Sequence, residues 1–286
     1  MQPATTIIER AAALLGWTPT SWRPVFGGYT PAARYVASAG PERAFVKVAT
    51  TRVTARMLRH EGLVYTRLSG PFMPRLLGWE DHPQAPILII EDLSDATWPP
   101  PWTGASLDAV LEQIDRVHAA KADLPRSSDA HPGDSSGWAN VAEDRDPFLS
   151  LGMASREWLD AALPRLIDAE ANCPTDAATV AHFDLRSDNI CLSPAGVKFI
   201  DWAAAALGNP QLDLGFLLPS LCFEGGPAPH EILPDAPQVA ASVSGYFAAR
   251  AGLPNIPDAP FVRRVQREQL TTALPWVARA LKLGEF

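Results

Sequence analysis

The sequence predicts a two-lobed α+β fold in which a mostly antiparallel sheet is followed by a mainly helical part. Short strand-like runs dominate residues 1–92, and helical periodicity dominates residues 93–286. An apolar hairpin inside the second part carries polar residues at one end. We therefore predict an N-terminal lobe over residues 1–92 and a C-terminal lobe over residues 93–286.

Composition limits the classes of function. The chain has 286 residues, of which 47% are apolar and 20% are charged, so it is globular and long enough for two lobes with a substantial core. The net charge of −8 argues against nucleic acid as a partner, because phosphate backbones require a basic footprint. The same charge is compatible with a cationic small-molecule substrate.

Cysteine usage and hydropathy indicate a cytoplasmic protein without a membrane span. Cys173, Cys191 and Cys222 are odd in number and scattered, which fits a reducing compartment better than a disulfide framework. The N-terminus lacks a basic segment followed by an apolar one. No apolar run approaches 18 residues, so no membrane-spanning helix is expected.

The first lobe begins with a predicted amphipathic helix over Thr5–Leu15. Gly27 and Gly28 then lie between strand-like runs, where the backbone could turn tightly over a phosphate or simply form a hairpin. Residues 44–49 alternate like a strand and carry Lys47 at the centre.

A helix over residues 53–68 would place Glu61 in the middle of its apolar face. A buried carboxylate is costly unless it is paired. Glu61 is the only acid between Lys47 and Glu80, so a Lys47–Glu61 ion pair is the economical explanation. The alternative is a glutamate that reaches solvent from the edge of the helix.

The second lobe contains several predicted helices and one long loop. Ser106 is a good N-cap for a helix, residues 148–171 look helical with a kink at Pro164, and residues 242–250 and 261–283 form the closing helices. Residues 126–147 lack periodicity and predict a long surface loop that could help to form a substrate lid. Glu224, Glu231 and Asp235 could contact an amine-bearing substrate or could be solvated surface acids.

The most informative stretch is the hairpin predicted from residues 190–192 and 197–200 around a Ser-Pro-Ala-Gly connection. Pairing Leu192 with Val197 places Asn189 beside Asp201, and Asp184 precedes Asn189 by five residues. Oxygen ligands of this kind suit Mg²⁺ held together with substrate phosphates. The alternative is a polar hairpin with its acids in solvent.

The spacing His182-x-Asp184-x4-Asn189, followed by Ile200-Asp201-Trp202, resembles the catalytic and metal-binding segments of the protein-kinase-like fold. The continuation Gly208-Asn-Pro-Gln-Leu-Asp213 is similar to the aminoglycoside phosphotransferase family. The resemblance implies that Asp184 addresses the acceptor hydroxyl and that Asn189 and Asp201 hold Mg²⁺. It also implies a structural role for Asp213, for which an N-cap role is the alternative.

The resemblance extends to the first lobe. It implies that Gly27, Gly28, Lys47 and Glu61 position the nucleotide phosphates and that the backbone around Glu91 and Leu93 binds adenine. Arg186 stands where serine/threonine protein kinases have a lysine, and we hypothesise that it stabilises charge on the transferred phosphate.

The implied activity is Mg²⁺-dependent transfer of a phosphoryl group from ATP or GTP, bound between the lobes, to a hydroxyl of a small molecule. An aminoglycoside-type antibiotic is the leading acceptor, which would make the protein a resistance enzyme. The sequence pattern is compatible with any oligomeric state. Kinases of choline, homoserine or sugar amines share every motif above. A non-catalytic nucleotide-binding module, a protein kinase and a metallophosphoesterase are competing interpretations from further classes.

Overall fold

The computed structural model describes residues 3–27, 31–130, 136–257 and 259–284. Its strands are β1 (Ser21–Pro24), β2 (Ala33–Ala39), β3 (Glu42–Val48), β4 (Leu76–Glu80), β5 (Ile87–Glu91), β6 (Thr179–Ala181), β7 (Ile190–Ser193), β8 (Gly196–Phe199) and β9 (Ala206–Gly208). Its helices are α1 (Thr5–Leu15), α2 (Arg52–Arg67), α3 (Gly104–Ala119), α4 (Ser127–Ala130), α5 (Gly137–Glu143), α6 (Asp146–Leu149), α7 (Arg156–Ala171), α8 (Pro210–Phe223), α9 (Pro229–Ile232), α10 (Pro237–Ala251) and α11 (Val262–Ala280).

The first five strands form one antiparallel sheet in the order β1-β2-β3-β5-β4. Lys47 lies on the central strand β3, opposite Arg34 on β2 and Leu88 on β5. The predicted helix Thr5–Leu15 is confirmed as α1. The α+β fold with an antiparallel sheet and a mainly helical remainder is also confirmed, whereas the lobe boundary at residue 92 stays a prediction.

Helix α2 begins after Thr51, whose side chain accepts a hydrogen bond from the Thr54 amide. Its inner face buries Glu61, as the apolar stripe predicts. The next residue, Gly62, lies against the Trp79 ring so closely that an added Cβ would be only 2.6 Å from it. A glycine is therefore required for α2 to approach the sheet and bring Glu61 over it.

Two predicted helix boundaries are wrong. Helix α3 begins at Gly104, and its N-cap is Thr103. The Ser106 amide donates to the Thr103 hydroxyl, and the Thr103 amide donates to the Ser106 hydroxyl, so the two residues form a capping box. The helix predicted over 148–171 is divided, with α6 ending at Leu149 and α7 beginning at Arg156. The closing helices α10 and α11 overlap their predicted ranges, although α10 begins earlier than predicted, at Pro237.

The prediction of a long loop over 126–147 is also wrong: α4, α5 and part of α6 lie there, and residues 131–135 lie outside the described part of the chain. Trp138 is fully buried and its indole donates to the Ala241 carbonyl. The buried Glu170 carboxylate accepts hydrogen bonds from the amides of Gly137 and Trp138, at 3.0 and 2.8 Å. Distant partners on α7 and α10 thus order a segment that has no helical periodicity of its own.

The hairpin β7–β8 has the predicted register, with Leu192 opposite Val197. The Ile200 amide donates to the Asn189 carbonyl at 2.9 Å, which brings the residues before and after the hairpin together. The Phe199 amide donates to the Phe72 carbonyl at 2.7 Å. The hairpin is therefore attached to the segment that joins α2 to β4.

Candidate active site

A buried lysine joins two carboxylates from different elements. Lys47 Nζ lies 2.6 Å from Glu61 Oε2 and 2.9 Å from Asp201 Oδ1. The side chains of Lys47 and Glu61 are only 11% and 2% exposed, while that of Asp201 is 33% exposed. The structure thus brings together the pair that the sequence predicts and adds Asp201 as a second partner of Lys47.

Burial and pairing act against each other in this cluster. Burial would lower the pKa of Lys47, but the carboxylates of Asp201 and Glu61 outweigh it, and the pKa is raised. Burial would raise the pKa of Asp201, but Lys47 more than offsets it, and the pKa is held below its ordinary value. Burial raises the pKa of Glu61, an effect that Lys47 opposes.

Asp213 fixes the backbone of the segment that precedes Asp184. Its buried carboxylate accepts hydrogen bonds from the amides of His182 and Phe183 at 3.0 and 2.8 Å, and it lies 3.0 Å from His118 Nε2. The N-cap of α8 is instead Asn209, whose side chain accepts from the Gln211 amide. The N-cap alternative for Asp213 is therefore wrong, and its contacts are those of a structural tie.

The neutral ring of His182 also holds this segment in place. The Asp184 amide lies 3.3 Å from its Nδ1 and the Ile200 carbonyl lies 3.0 Å from its Nε2. Because an amide can only donate and a carbonyl can only accept, Nδ1 is unprotonated and Nε2 carries the hydrogen. Burial lowers the pKa of His182, in agreement with a neutral ring. Phe183, between His182 and Asp184 in the chain, has a left-handed φ of 59°. The hydrogen bonds of the His182 ring and of the Asp213 carboxylate hold this strained conformation.

Asp184 has a partly exposed carboxylate with partners on two sides. Its Oδ2 accepts a hydrogen bond from Asn189 Nδ2 at 3.0 Å, and Arg186 Nε lies 3.6 Å from its Oδ1. Burial raises the pKa of Asp184 to about 6, although the Arg186 guanidinium opposes that rise. Arg186 also contacts Asp188, with 3.1 Å between Nη2 and Oδ2.

Asn189 and Asp201 retain oxygen atoms that suit a hard cation. Asn189 Nδ2 donates to both the carbonyl and the carboxylate of Asp184, so the amide oxygen of Asn189 points away from those acceptors. Asp201 has a left-handed φ of 62°, and only its Oδ1 is bonded to Lys47 in this cluster. A carboxylate and a carboxamide oxygen fit Mg²⁺ that completes its shell with water and phosphate. No three His, Cys, Asp or Glu side chains converge on a metal site within residues 3–27, 31–130, 136–257 and 259–284.

The predicted nucleotide contacts of the first lobe are only partly described. Gly27 has a φ of +117°, which favours glycine, and its carbonyl accepts from Arg34 Nη1 at 3.2 Å. Gly28 lies outside the described residues. Gly27 thus has the backbone freedom that a tight turn requires.

The segment after β5 is held from several sides. The Glu91 amide donates to the Arg75 carbonyl, and its carboxylate lies 3.2 Å from Lys198 Nζ on β8. The Leu93 carbonyl accepts from the Ala96 amide. These two backbone groups are used inside the protein, so an adenine contact there would fall to other groups, such as the Leu93 amide.

A pocket of about 110 Å³ lies beside this loop, between α8 and α11. Arg186 and Asp188 line it on one side, and Phe223, Glu224 and Glu268 line it on the other. Sequence reasoning missed Phe223 and Glu268, because an exposed aromatic residue and an exposed helical acid carry no signal without their neighbours. Phe223 is 50% exposed and is available to contact a ligand.

Two of the acids proposed from sequence for an amine-bearing substrate, Glu224 and Glu231, form hydrogen bonds inside the protein. Glu224 lines the pocket, but its two oxygens accept hydrogen bonds from Ser187 Oγ and Trp102 Nε1. Glu231 accepts from the Ala228 amide at the start of α9. Both acids therefore have partners inside the protein.

Comparisons with known proteins bear on the family and the fold. A family model described as the phosphotransferase enzyme family matches residues 21–251. No curated protein matches the sequence. None of the helices in the described part of the chain is long and apolar enough to cross a membrane.

Solved structures of similar proteins cover nearly the whole chain. One is a thermostable mutant of aminoglycoside phosphotransferase APH(4)-Ia in a ternary complex with AMP-PNP and hygromycin B, with a TM-score of 0.62, 15% identity and coverage of 98% of this chain and 99% of that one. Another is spectinomycin phosphotransferase APH(9)-Ia with ADP and spectinomycin, with a TM-score of 0.60, 13% identity and coverage of 99% and 100%. A third, from Haemophilus somnus and provisionally described as a fructosamine-3-kinase, has a TM-score of 0.50, 10% identity and coverage of 96% and 95%. These similarities confirm the predicted kinase-like fold.

Proposed function

The chain belongs to the phosphotransferase enzyme family, and on that premise we propose that it transfers the γ-phosphoryl group of ATP to a hydroxyl of a small molecule. Mg²⁺ is the proposed metal, and an aminoglycoside-type antibiotic is the leading acceptor. The ligands named for two similar structures, AMP-PNP with hygromycin B and ADP with spectinomycin, support this choice. We place the activity in the cytoplasm, where ATP is available.

The observation that carries the proposal is the Lys47 ammonium held between Glu61 and Asp201. Three charges from three elements are costly to remove from water, and a stable core does not need them. Phosphoryl transfer does need them, because it depends on positioning and charge neutralisation more than on covalent help. This argues against a non-catalytic module.

In the proposed reaction, Asp184 orients the acceptor hydroxyl and accepts its proton as the new oxygen–phosphorus bond forms and the bond from the γ-phosphorus to the bridging oxygen of ADP breaks. Arg186, which contacts both Asp184 and Asp188, would offer its guanidinium to the phosphoryl oxygens. Asn189 and Asp201 are the proposed metal ligands. A bound Mg²⁺ would neutralise charge on the β- and γ-phosphates.

On the nucleotide side, Gly27 and Gly28 would approach the phosphates, and Lys47 would bind them while Glu61 holds its ammonium in place. Backbone groups around Glu91 and Leu93 would bind adenine. The proposed site therefore lies between the sheet and the hairpin β7–β8.

The pocket beside Arg186 is the proposed acceptor site, and its size favours a second candidate. About 110 Å³ is small compared with ordinary ligand sites of roughly 300–1,000 Å³. A small amino alcohol or a sugar amine fits this space better than a multi-ring antibiotic does. A kinase of choline, homoserine or a fructosamine-type acceptor is therefore the alternative function.

The test is a phosphotransfer panel with purified protein, Mg²⁺ and isotopically labelled ATP. Hygromycin B, spectinomycin, choline, homoserine and a fructosamine are offered separately, and phosphorylated products are identified by mass spectrometry. We expect one class to be phosphorylated, and growth of a host carrying the gene on the matching antibiotic would support a resistance role. Binding of Mg·ATP without any phosphorylated product or acceptor-dependent ADP release would instead favour the nucleotide-binding module.

A further inference from the structure

The residue that follows α8, Glu224, joins three parts of the chain. Its Oε1 accepts a short hydrogen bond from Ser187 Oγ, and its Oε2 accepts from Trp102 Nε1 at 2.8 Å. We propose that Glu224 is a positioning residue that fixes the loop carrying Asp184 and Asn189. This inference rests on the proposed function, because positioning matters only if that loop performs the transfer.

Ser187 lies where its hydrogen bond to Glu224 can hold the loop in place. It is 7% exposed and begins the 3-10 turn Ser187–Asn189, directly after Arg186. The Asn189 amide donates to the Arg186 carbonyl at 2.9 Å, and Asn189 Nδ2 holds the Asp184 carboxylate. A displacement of Ser187 would therefore move the proposed base and the proposed metal ligand together.

The other partner of Glu224 is anchored in the protein core. Trp102 comes from the proline-rich connector before α3, and its ring packs against two hydrophobic clusters, one among α7, α10 and α11 and one beneath the hairpin β7–β8. The indole N–H is a donor only, so it fixes the orientation of the carboxylate. Glu224 thus links the packed Trp102 ring to the loop through two hydrogen bonds.

An acid in the pocket could either bind an amine of the acceptor through its charge or hold the loop through hydrogen bonds. If both oxygens of Glu224 serve neutral donors inside the protein, recognition of an acceptor amine falls to the other acids that line the pocket, Asp188 and Glu268. The role of Glu224 would then depend on its hydrogen bonds and not on its charge.

A glutamine can reproduce those hydrogen bonds without the charge. Its amide oxygen would accept from Trp102 Nε1, and its amide nitrogen would donate to Ser187 Oγ, because a hydroxyl also accepts. We expect Glu224→Gln to retain kcat within about threefold, whereas Glu224→Ala lowers kcat by about tenfold or more with little change in acceptor KM. Glu157→Ala, an exposed acid on α7, is the matched control and should leave both constants unchanged.

The opposite pattern would overturn the inference. If Glu224 bound an acceptor amine through its charge, the Gln and Ala variants would raise the acceptor KM alike and leave kcat near the wild-type value. Equal loss of kcat in both variants would likewise contradict it, because the conservative replacement would have failed to rescue.

A measurement without substrate keeps this test separate from the proposed function. Hydrogen–deuterium exchange over residues 182–190 should be faster in Glu224→Ala and close to wild type in Glu224→Gln. Unchanged exchange in Glu224→Ala would refute the positioning role even in an active enzyme. Faster exchange with rescue, in a protein that phosphorylates none of the panel and releases no ADP, would refute the function while the link from Glu224 to the loop stands.

Discussion

On the nucleotide side of the proposed site, a buried lysine forms ion pairs with carboxylates from distant elements, whereas on the acceptor side the ion pairs join near neighbours and each has a partly exposed carboxylate. Lys47 and Glu61 are 14 residues apart, and Lys47 and Asp201 are 154 apart. Arg186 and Asp188 are two residues apart, and Glu268 lies on the same helix as its partner Arg264. The Glu268 side chain is 36% exposed.

The difference indicates which half of the site is assembled before ligands arrive. Buried ion pairs are strongly destabilised by loss of one partner, so the nucleotide side has one stable arrangement. Ion pairs with partly exposed members contribute less to folding and are screened by salt, so substitutions on the acceptor side should cost less folding stability. Four substitutions test this comparison, and a fifth, at Glu170, tests a buried carboxylate outside the site.

The largest effect is expected at the junction of the two sides. Asp184→Asn removes the carboxylate proposed to accept the proton, so kcat should fall by about 10²–10⁴-fold. Mg·ATP affinity, measured by calorimetry, should stay close to wild type, because the proposed role of Asp184 is toward the acceptor. A large loss of nucleotide affinity would instead indicate that Asp184 is a metal ligand.

Lys47→Ala should damage the nucleotide side in two ways. Glu61, which is almost fully buried, would lose its cation, and the free energy of unfolding should fall by about 3–5 kcal/mol. The KM for ATP should rise as well. Urea denaturation and ATP titration measure the two effects, and Arg59→Ala, which breaks an exposed pair on α2, is the control. Unaltered ATP dependence would contradict the role of Lys47.

Glu170 tests what burial does to a carboxylate held by backbone amides. Burial raises its pKa from 4.5 to about 7, so its contribution to stability is full below pH 4.5 and is lost as the pH rises through about 7. The loss should approach about 3 kcal/mol. Glu170→Gln should flatten this slope in thermal unfolding between pH 5 and pH 8. An equal slope in both proteins would exclude Glu170 as its source.

Arg186→Ala should act on turnover more than on folding. If the guanidinium stabilises the transferred phosphoryl group, loss of a charge-assisted hydrogen bond predicts a kcat about 10- to 100-fold lower at saturating substrates. Steady-state kinetics with both substrates saturating measures this. Unchanged turnover would leave Arg186 with a structural role beside Asp188.

The smallest effect is expected on the acceptor side. Glu268→Gln removes one exposed charge from the pocket, so KM for a cationic acceptor should rise by no more than about fivefold, with kcat unchanged. The same titration at high salt should reduce the difference. A neutral acceptor should not distinguish the variant from the wild type, and an equal effect on both acceptors would argue against charge recognition.

Much of the nucleotide side was predictable because its signals are local. The turn between β7 and β8 fixes the register that places Asn189 next to Ile200 and therefore beside Asp201. The helical stripe of α2 places Glu61 on a buried face, and burial requires a cation such as Lys47. The extra contact from Lys47 to Asp201 was not predicted, because it joins β3 to the segment after the hairpin, 154 residues away.

The sequence alone determined the fold class, the Lys47–Glu61 pair and the cluster of oxygen-bearing side chains around the hairpin, because each follows from periodicity or turn geometry over a short stretch. Tertiary structure decided that residues 137–143 are helical, that Asp213 holds the loop instead of capping α8, and that Glu224 accepts hydrogen bonds from Ser187 and Trp102. Each of these depends on hydrogen-bond partners at least thirty residues away, and no local pattern specifies such a partner.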